Sequence, residues 1–425
     1  MNQNFRLFYF LFFAFVILQS CKSENKIVWQ IGQTGNGAIE FALFPDQFER
    51  YIESDFGWED RYFLIGKSET KKDFPYILPG PVDTWGGTWP TSGWRTSEIN
   101  ILFGIDAMRR NADYKLVIEL TDFSKKFLPL VKVTVNGQVD KFQLEAENQE
   151  LASQRNPGLN EKYDDNKPVP GNTDATAKTI EIPLGKNTLK KGGNRVSITI
   201  LEGSWIIFDQ IRLEGGRVKL ENQDKAFVRS VEEASYEIET ESGRSQPLLI
   251  DIEHLDGNPL LDVFLDGKKI FTETVETGRY LFEAPMPAVK SEVDSRYEIR
   301  IDGAKVRTGK LSRSPQKTIT PADYANTMMG TAHSRWMIAP GPWMPFSMVK
   351  ISPDNQNKGW QAGYDPSFES IGGFSHIHEW TLGGLLMMPT NGDLQTQVGD
   401  ERKPDEGYRS RIDKATEEAP IGYYK

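Results

Sequence analysis

Val131-Lys132-Val133-Thr134-Val135 alternates apolar and polar residues and then breaks at Asn136-Gly137. A period of two closed by a tight-turn dipeptide commits the chain around it to a β-hairpin. The same text recurs at Val196-Ser197-Ile198-Thr199-Ile200, at Ile206-Ile207-Phe208-Asp209-Gln210-Ile211-Arg212-Leu213, and before the Asp266-Gly267 and Asp302-Gly303 turns. No stretch keeps a helical period for more than about ten residues, so the sequence predicts an all-β protein. At 425 residues there is room for about two to four domains. No internal repeat is visible.

The text divides at changes of character. Residues 27–216 carry strands around a long polar Asn/Pro/Gly-rich loop over 148–178, and a boundary falls at Gly215-Gly216. Residues 217–311 hold about six or seven short strands in roughly a hundred residues, the density of an immunoglobulin-like sandwich. Residues 312–317 read as a polar linker. From 318 to 425 Gly, Pro, Trp and Met become dense, and three of the four histidines lie there.

The N-terminus reads as an export signal. Arg6 precedes an apolar run over residues 7–18, the length of a signal core and too short to span a bilayer. Residues 1–20 are then a signal peptide. Leu18-Gln19-Ser20-Cys21 resembles a lipobox, so Cys21, the chain's one cysteine, is the expected lipidation site, and residues 21–26 are the lipidated Cys and its tether. The expected location is the bacterial cell envelope, periplasm or outer membrane, with the lipid as the membrane partner. The alternative, ordinary cleavage nearby, leaves Cys21 as a lone thiol. A net charge of −10 without a basic stripe excludes nucleic acid as a partner.

Ten tryptophans are many for this length, and several sit in loop text. Trp85, Trp89 and Trp94 lie in a Gly/Thr/Pro-rich run between Asp83 and Arg95. A flat indole covers the apolar face of a sugar ring, so these three are candidate glycan-stacking residues, with Asp83 or Arg95 to bond hydroxyls. The same rings could instead pack beneath the loop and close one end of a sandwich. Trp205 reads as a core residue.

Residues 27–216 resemble the jelly-roll, carbohydrate-binding-like domain at the end of family 4 polysaccharide lyases. The resemblance rests on Trp29-Gln30-Ile31-Gly32-Gln33, Glu40-Phe41, Tyr62-Phe63-Leu64-Ile65-Gly66, Asp73-Phe74-Pro75-Tyr76, Gly192-Gly193-Asn194-Arg195-Val196, Gly203-Ser204-Trp205 and Phe208-Asp209. It implies a sandwich that docks on glycan or on a neighbouring domain, and no lyase chemistry.

Residues 318–425 resemble the start of glycoside hydrolase family 92, exo-acting calcium-dependent α-mannosidases. The matching text is Asp323-Tyr324-Ala325-Asn326-Thr327, Met329-Gly330-Thr331, Pro345-Phe346-Ser347-Met348-Val349, Ile351-Ser352-Pro353-Asp354, Gly359-Trp360, Gly363-Tyr364 and Gly373-Phe374-Ser375-His376-Ile377-His378. The resemblance implies an N-terminal β-sandwich, truncated here, that packs against a helical barrel. In that family an acid and a base on the barrel invert the anomeric centre, and calcium is held mostly by the barrel. No catalytic residue is therefore assigned, and the chain alone is expected to be inactive. Thr331, His333, Arg335, Trp336 and Trp360 are implied to line the substrate cleft. His376 and His378 could meet a metal from one strand face, but without a third ligand they read as hydrogen-bonded structural residues. Two functions stay open: the carbohydrate-binding N-terminal portion of an α-mannosidase-like hydrolase that draws its helical domain in cis or in trans, or a stand-alone lipid-anchored protein that binds glycans.

Overall fold

The computed structural model describes residues 26–57, 61–86, 97–109, 111–145, 177–221, 223, 225–329, 331, 340–341, 351–355, 363–378, 382–383, 385–401, 403 and 406–425. The protein is all-β. Among the described residues the only α-helix is the four-residue Thr70–Asp73, and no helix is long and apolar enough to cross a membrane.

The first sandwich is built from β1 (Lys26–Gly32), β2 (Tyr62–Leu64), β3 (Ile77–Leu78), β4 (Glu98–Met108), β5 (Tyr114–Phe123), β6 (Leu130–Val135), β7 (Gln138–Gln143), β8 (Lys178–Leu184), β9 (Gly192–Glu202), β10 (Ile206–Gly215) and β11 (Val218–Glu221). One sheet runs β1-β10-β5-β8 with β3 on β10; the other runs β11-β4-β9-β6-β7 with β2 on β4. Alternation does what the sequence predicts. Val131, Val133 and Val135 of β6 face a core that includes Trp29, Phe103, Ile198, Trp205 and Phe208, while Lys132 and Thr134 face out. The expected boundary at Gly215-Gly216 falls short of the sandwich, because β11 continues it by pairing antiparallel with β4.

The hairpin at Asn136 shows why its turn residue matters. Asn136 has φ 55°, its Nδ2 donates to the Thr188 carbonyl (2.7 Å) and Asn194 Oδ1 (2.8 Å), and its Oδ1 accepts from the Arg195 N–H (2.9 Å). Asn136→Ala keeps an unfavourable left-handed backbone and loses all three bonds, so a cost of about 2 kcal/mol is expected in urea unfolding. Asn136→Gly, which relieves the backbone, should recover part of it; identical losses would mean that the turn conformation carries none of the cost.

The second sandwich holds β12 (Ala226–Glu233), β13 (Tyr236–Thr240), β14 (Gly243–His254), β15 (Leu260–Leu265), β16 (Lys268–Thr274), β17 (Gly278–Pro287), β18 (Val293–Ile301), β19 (Ala304–Arg313) and β20 (Lys317–Thr318). Its sheets run β12-β14-β13-β20, with β17 on β14, and β16-β15-β18-β19. Between them lie Val228, Leu248, Ile250, Ile252, Leu261, Val263 and Ile299. The Asp266-Gly267 and Asp302-Gly303 turns have both residues at positive φ, as two-residue hairpins require.

Residues 312–317 do not form the free linker expected of them. Arg313 is buried and donates to Gln246 Oε1 (3.3 Å), the Gln316 N–H donates to Glu237 Oε1 (3.0 Å), and Lys317–Thr318 pairs parallel with β13. Polar text suits both a linker and an edge whose polar groups are all paired.

The first two sandwiches touch closely. Phe227 packs with Leu64 and Leu102 across the junction, and a Cβ on Gly193 would stand 2.4 Å from the Arg229 carbonyl oxygen. Only glycine admits that approach. In the third module the described strands pair two by two: β21 (Ser352–Asp354) with β23 (Gly373–Ser375), β22 (Ser370–Ile371) with β26 (Ser410–Arg411), and β24 (Ile377–His378) with β25 (Leu382–Gly383).

Candidate functional site

Strand register places a polar row across one face of the first sandwich. Glu98 pairs with Thr199, Thr199 with Lys132, and Lys132 with Lys141. Side chains of directly paired residues project from the same face, so two lysines, a hydroxyl and a carboxylate line up across four strands. The third module docks on this row.

Lys132 Nζ donates to the Ser367 carbonyl (2.7 Å) and lies 3.0 Å from Glu369 Oε1. Lys141 Nζ bridges Glu369 Oε2 (3.1 Å) and Glu401 Oε1 (2.7 Å). Glu401 also accepts from the Glu369 N–H (2.9 Å) and the Ser370 hydroxyl. Arg409 lies 3.7 Å from Glu401 Oε2 and donates to the Asn355 carbonyl (2.9 Å) and Ser370 Oγ (3.0 Å). Burial by itself would raise the Glu369 carboxyl, but the Lys132 and Lys141 ammoniums outweigh it and hold the group below the usual carboxylate range. Beside these ions Phe368 seats on Leu130 and Leu201.

A cleft of about 640 Å³ remains between the two walls. Glu98, Lys132, Thr134, Arg195, Ser197 and Thr199 line one wall, and Pro366, Ser367, Ile412, Asp413 and Lys414 the other. Lys414 is braced from behind: its Nζ donates to the Tyr364 hydroxyl (2.8 Å) and Glu417 Oε2 (3.0 Å), and burial lowers its pKa. Tyr364 and Tyr424 both donate to Glu417. The cleft thus offers hydroxyls, cations and carboxylates at close quarters, the groups that bond sugar hydroxyls.

Of the residues predicted from sequence, Trp85 is half-buried and packs edge-on against Phe48 (5.0 Å between centroids) and Tyr51 (6.1 Å). Asp83 is buried and accepts from the Gly80 N–H (2.8 Å) and Ser204 Oγ (2.6 Å), tying its loop to the turn before β10. Thr331 is buried, its hydroxyl donating to the Met328 carbonyl (2.8 Å). Cys21, Trp89, Trp94, Arg95, His333, Arg335, Trp336 and Trp360 lie outside the described residues. None of the predicted residues among those described lines the cleft. The polar face of β6 was its one sequence signal; the partners come from more than two hundred residues away.

Among the described residues no three His, Cys, Asp or Glu side chains gather into a metal-binding group. His376 Nδ1 accepts from the Leu385 N–H (3.2 Å). The resemblance to family 92 places the calcium ligands mostly on the barrel, and no step is derived through calcium.

Residues 27–213 match the family model for polysaccharide lyase family 4, domain III, a carbohydrate-binding-module-like domain. Residues 324–425 match that for the glycosyl hydrolase family 92 N-terminal domain. No curated protein matches the chain. Among solved structures, a GH2 beta-galacturonidase from Eisenbergiella tayi bound to galacturonate is 10% identical with a TM-score of 0.18, over 58% of this chain and 39% of that one. A beta-glucuronidase from Ruminococcus gnavus is 9% identical with a TM-score of 0.16, over 52% and 36%. The chain thus spans well under half the length of either.

Proposed function

We propose that this chain, which joins a polysaccharide lyase family 4 domain III module to a glycosyl hydrolase family 92 N-terminal domain, is the glycan-binding portion of an exo-acting, calcium-dependent α-mannosidase-like hydrolase. A helical catalytic domain, in cis or in trans, supplies the acid, the base and the calcium ligands. The observation that carries this reading is the order and docking of the two matched domains: the hydrolase domain is fixed by ions to the outer face of the carbohydrate-binding-like sandwich, and a polar cleft runs between them. In that cleft Arg195 and Lys414 donate to sugar oxygens, and Glu98 and Asp413 accept from sugar hydroxyls.

The test is release of mannose from α-linked mannobioses, in calcium, by this chain alone and by the chain joined to or mixed with the helical domain. Turnover only with the helical domain supports the proposal. No turnover in either, with mannan still retained in a pull-down, would move the assignment to a stand-alone glycan-binding protein.

The chain acts at the bacterial envelope, anchored through a lipidated Cys21. Cys21→Ala is expected to abolish labelling by a fatty-acid probe and shift the protein from the membrane to the soluble fraction. Unchanged labelling would remove the anchor from this reading.

A further inference from the structure

A pocket of about 390 Å³ opens where the first sandwich meets the second. Lys190 and Lys191, just before β9, and Glu221 of β11 line one side; Arg229 of β12 and Lys305 and Arg307 of β19 line the other. Domain junctions of this size are common small-molecule sites. Five of the lining side chains are cationic and three are carboxylates. That excess runs against the chain as a whole, whose net charge is −10.

The carboxylates do little to cancel it. Asp106 accepts from Lys219 (2.7 Å), which stands outside the pocket, and Glu232 is exposed. Glu221 accepts from Gln223 Nε2 (2.9 Å) as well as from Arg307 Nη2 (3.2 Å). Burial raises the Glu221 carboxyl above its usual range against the pull of Arg307.

Arg307 is the cation with donors to spare. A guanidinium carries five N–H bonds. Its side chain is 13% exposed, and Nη2 donates to the Val228 carbonyl (3.0 Å) and to Glu221. Nε is shielded and donates to nothing, so the protein meets only part of the group's demand. Nη1 lies over Gly192, 1.5 Å from where a Cβ on that residue would stand. Gly192 also has φ 95°, so glycine there serves the backbone and leaves the guanidinium its seat.

We propose that this pocket binds a sugar carrying an oxyanion, a carboxylate or a sulfate ester, which Arg307 holds through Nη1 while Lys190 and Lys191 attract it at the mouth. A half-buried cationic cleft focuses its field on an entering anion, and a charge-assisted bond gains strength where water is thin. Tyr297 lies across Gly309 and adds an aromatic side chain to the wall. The anion follows from the pocket itself; that a sugar carries it rests on the glycan-binding reading of the chain. The site is separate from the cleft between the first and third modules.

The experiment uses the full chain in low salt, titrated by calorimetry with D-glucuronate, glucose 6-sulfate, glucose and inorganic sulfate. At least one acidic sugar is expected to bind roughly tenfold more tightly than glucose or inorganic sulfate, and to weaken as salt rises. Binding of glucuronate alone assigns the site to carboxylates, and of glucose 6-sulfate alone to sulfate esters; either supports it. Arg307→Gln should weaken the acidic sugar at least about tenfold, and Arg307→Lys, which keeps the charge, by less. Lys190→Glu changes an exposed side chain and should cost about threefold; should Arg307→Gln fail to fold, it decides alone. Mannan retention uses the other cleft and should survive in all three variants. Acidic-sugar binding by a parent that does not retain mannan would leave this site standing and remove the other. The proposal is overturned if no acidic sugar binds better than glucose, if inorganic sulfate binds as tightly as the acidic sugar, or if binding is undiminished in the folded variants.

Discussion

Glu401→Ala is expected to undock the third module, at a cost of about 3–5 kcal/mol. The Glu401 side chain is 1% exposed and serves Lys141, the Ser370 hydroxyl and the Glu369 N–H at once, with Arg409 close by. Removing it leaves the buried Arg409 without its carboxylate and Lys141 with Glu369 alone, and a buried charge stripped of its partner costs far more than an exposed ion pair contributes. Glu401→Gln keeps the acceptor oxygen and loses the charge, so it should fall between. Limited trypsin digestion gives the readout: residues 351–425 of the Ala variant should be cut under conditions in which the parent survives, while the first sandwich resists in both. Equal survival of this segment in parent and variant would mean that the seam does not hold the module.

Asp354→Asn is expected to act in the opposite direction, and only at neutral pH. Asp354 is wholly buried on β21, next to Ser375, which bonds it through side chain and backbone. Those bonds favour the carboxylate, but burial outweighs them and raises the pKa from 3.8 to about 6. Below about pH 3.8 the acid is protonated both folded and unfolded, and it costs nothing. As pH climbs towards 6 the unfolded chain releases the proton first, so folded stability falls. Above 6 the penalty is complete, about 3 kcal/mol for a shift of about two units. The Asn variant carries no such titration. Denaturant midpoints of the third module should therefore separate parent and variant at about pH 7.5 and converge near pH 4. A constant difference across that range would place the ionisation elsewhere.

The β class and most of the first sandwich could be read from the chain because the signals are local. Val131–Val135 announces its strand, its inner face and its turn within seven residues, and β6, β7 and the Asn136 bend follow. What escaped was long-range. Nothing near Lys132 or Lys141 names Glu369 or Glu401 as partners, and polar text over 312–317 looks the same in a tether as in a strand edge. The text around Trp85 fits a stacking platform and a packed lid equally well; Phe48 and Tyr51, which it touches, lie over thirty residues earlier.

The docking seam also bears on the order in which the chain is made. Lys141 and Glu401 are 260 residues apart, and Lys132 and Ser367 are 235 apart. The first sandwich is complete at Glu221, so a ribosome adding about 5–20 residues per second leaves it waiting on the order of ten to forty seconds for its cover. An apolar wall left bare for that time would invite other nascent chains. A wall of lysines, threonine and glutamate waits fully hydrated, attracts little, and turns adhesive only when the matching carboxylates emerge. Building the joint from ions lets the early part of the protein fold and stand alone before the late part exists.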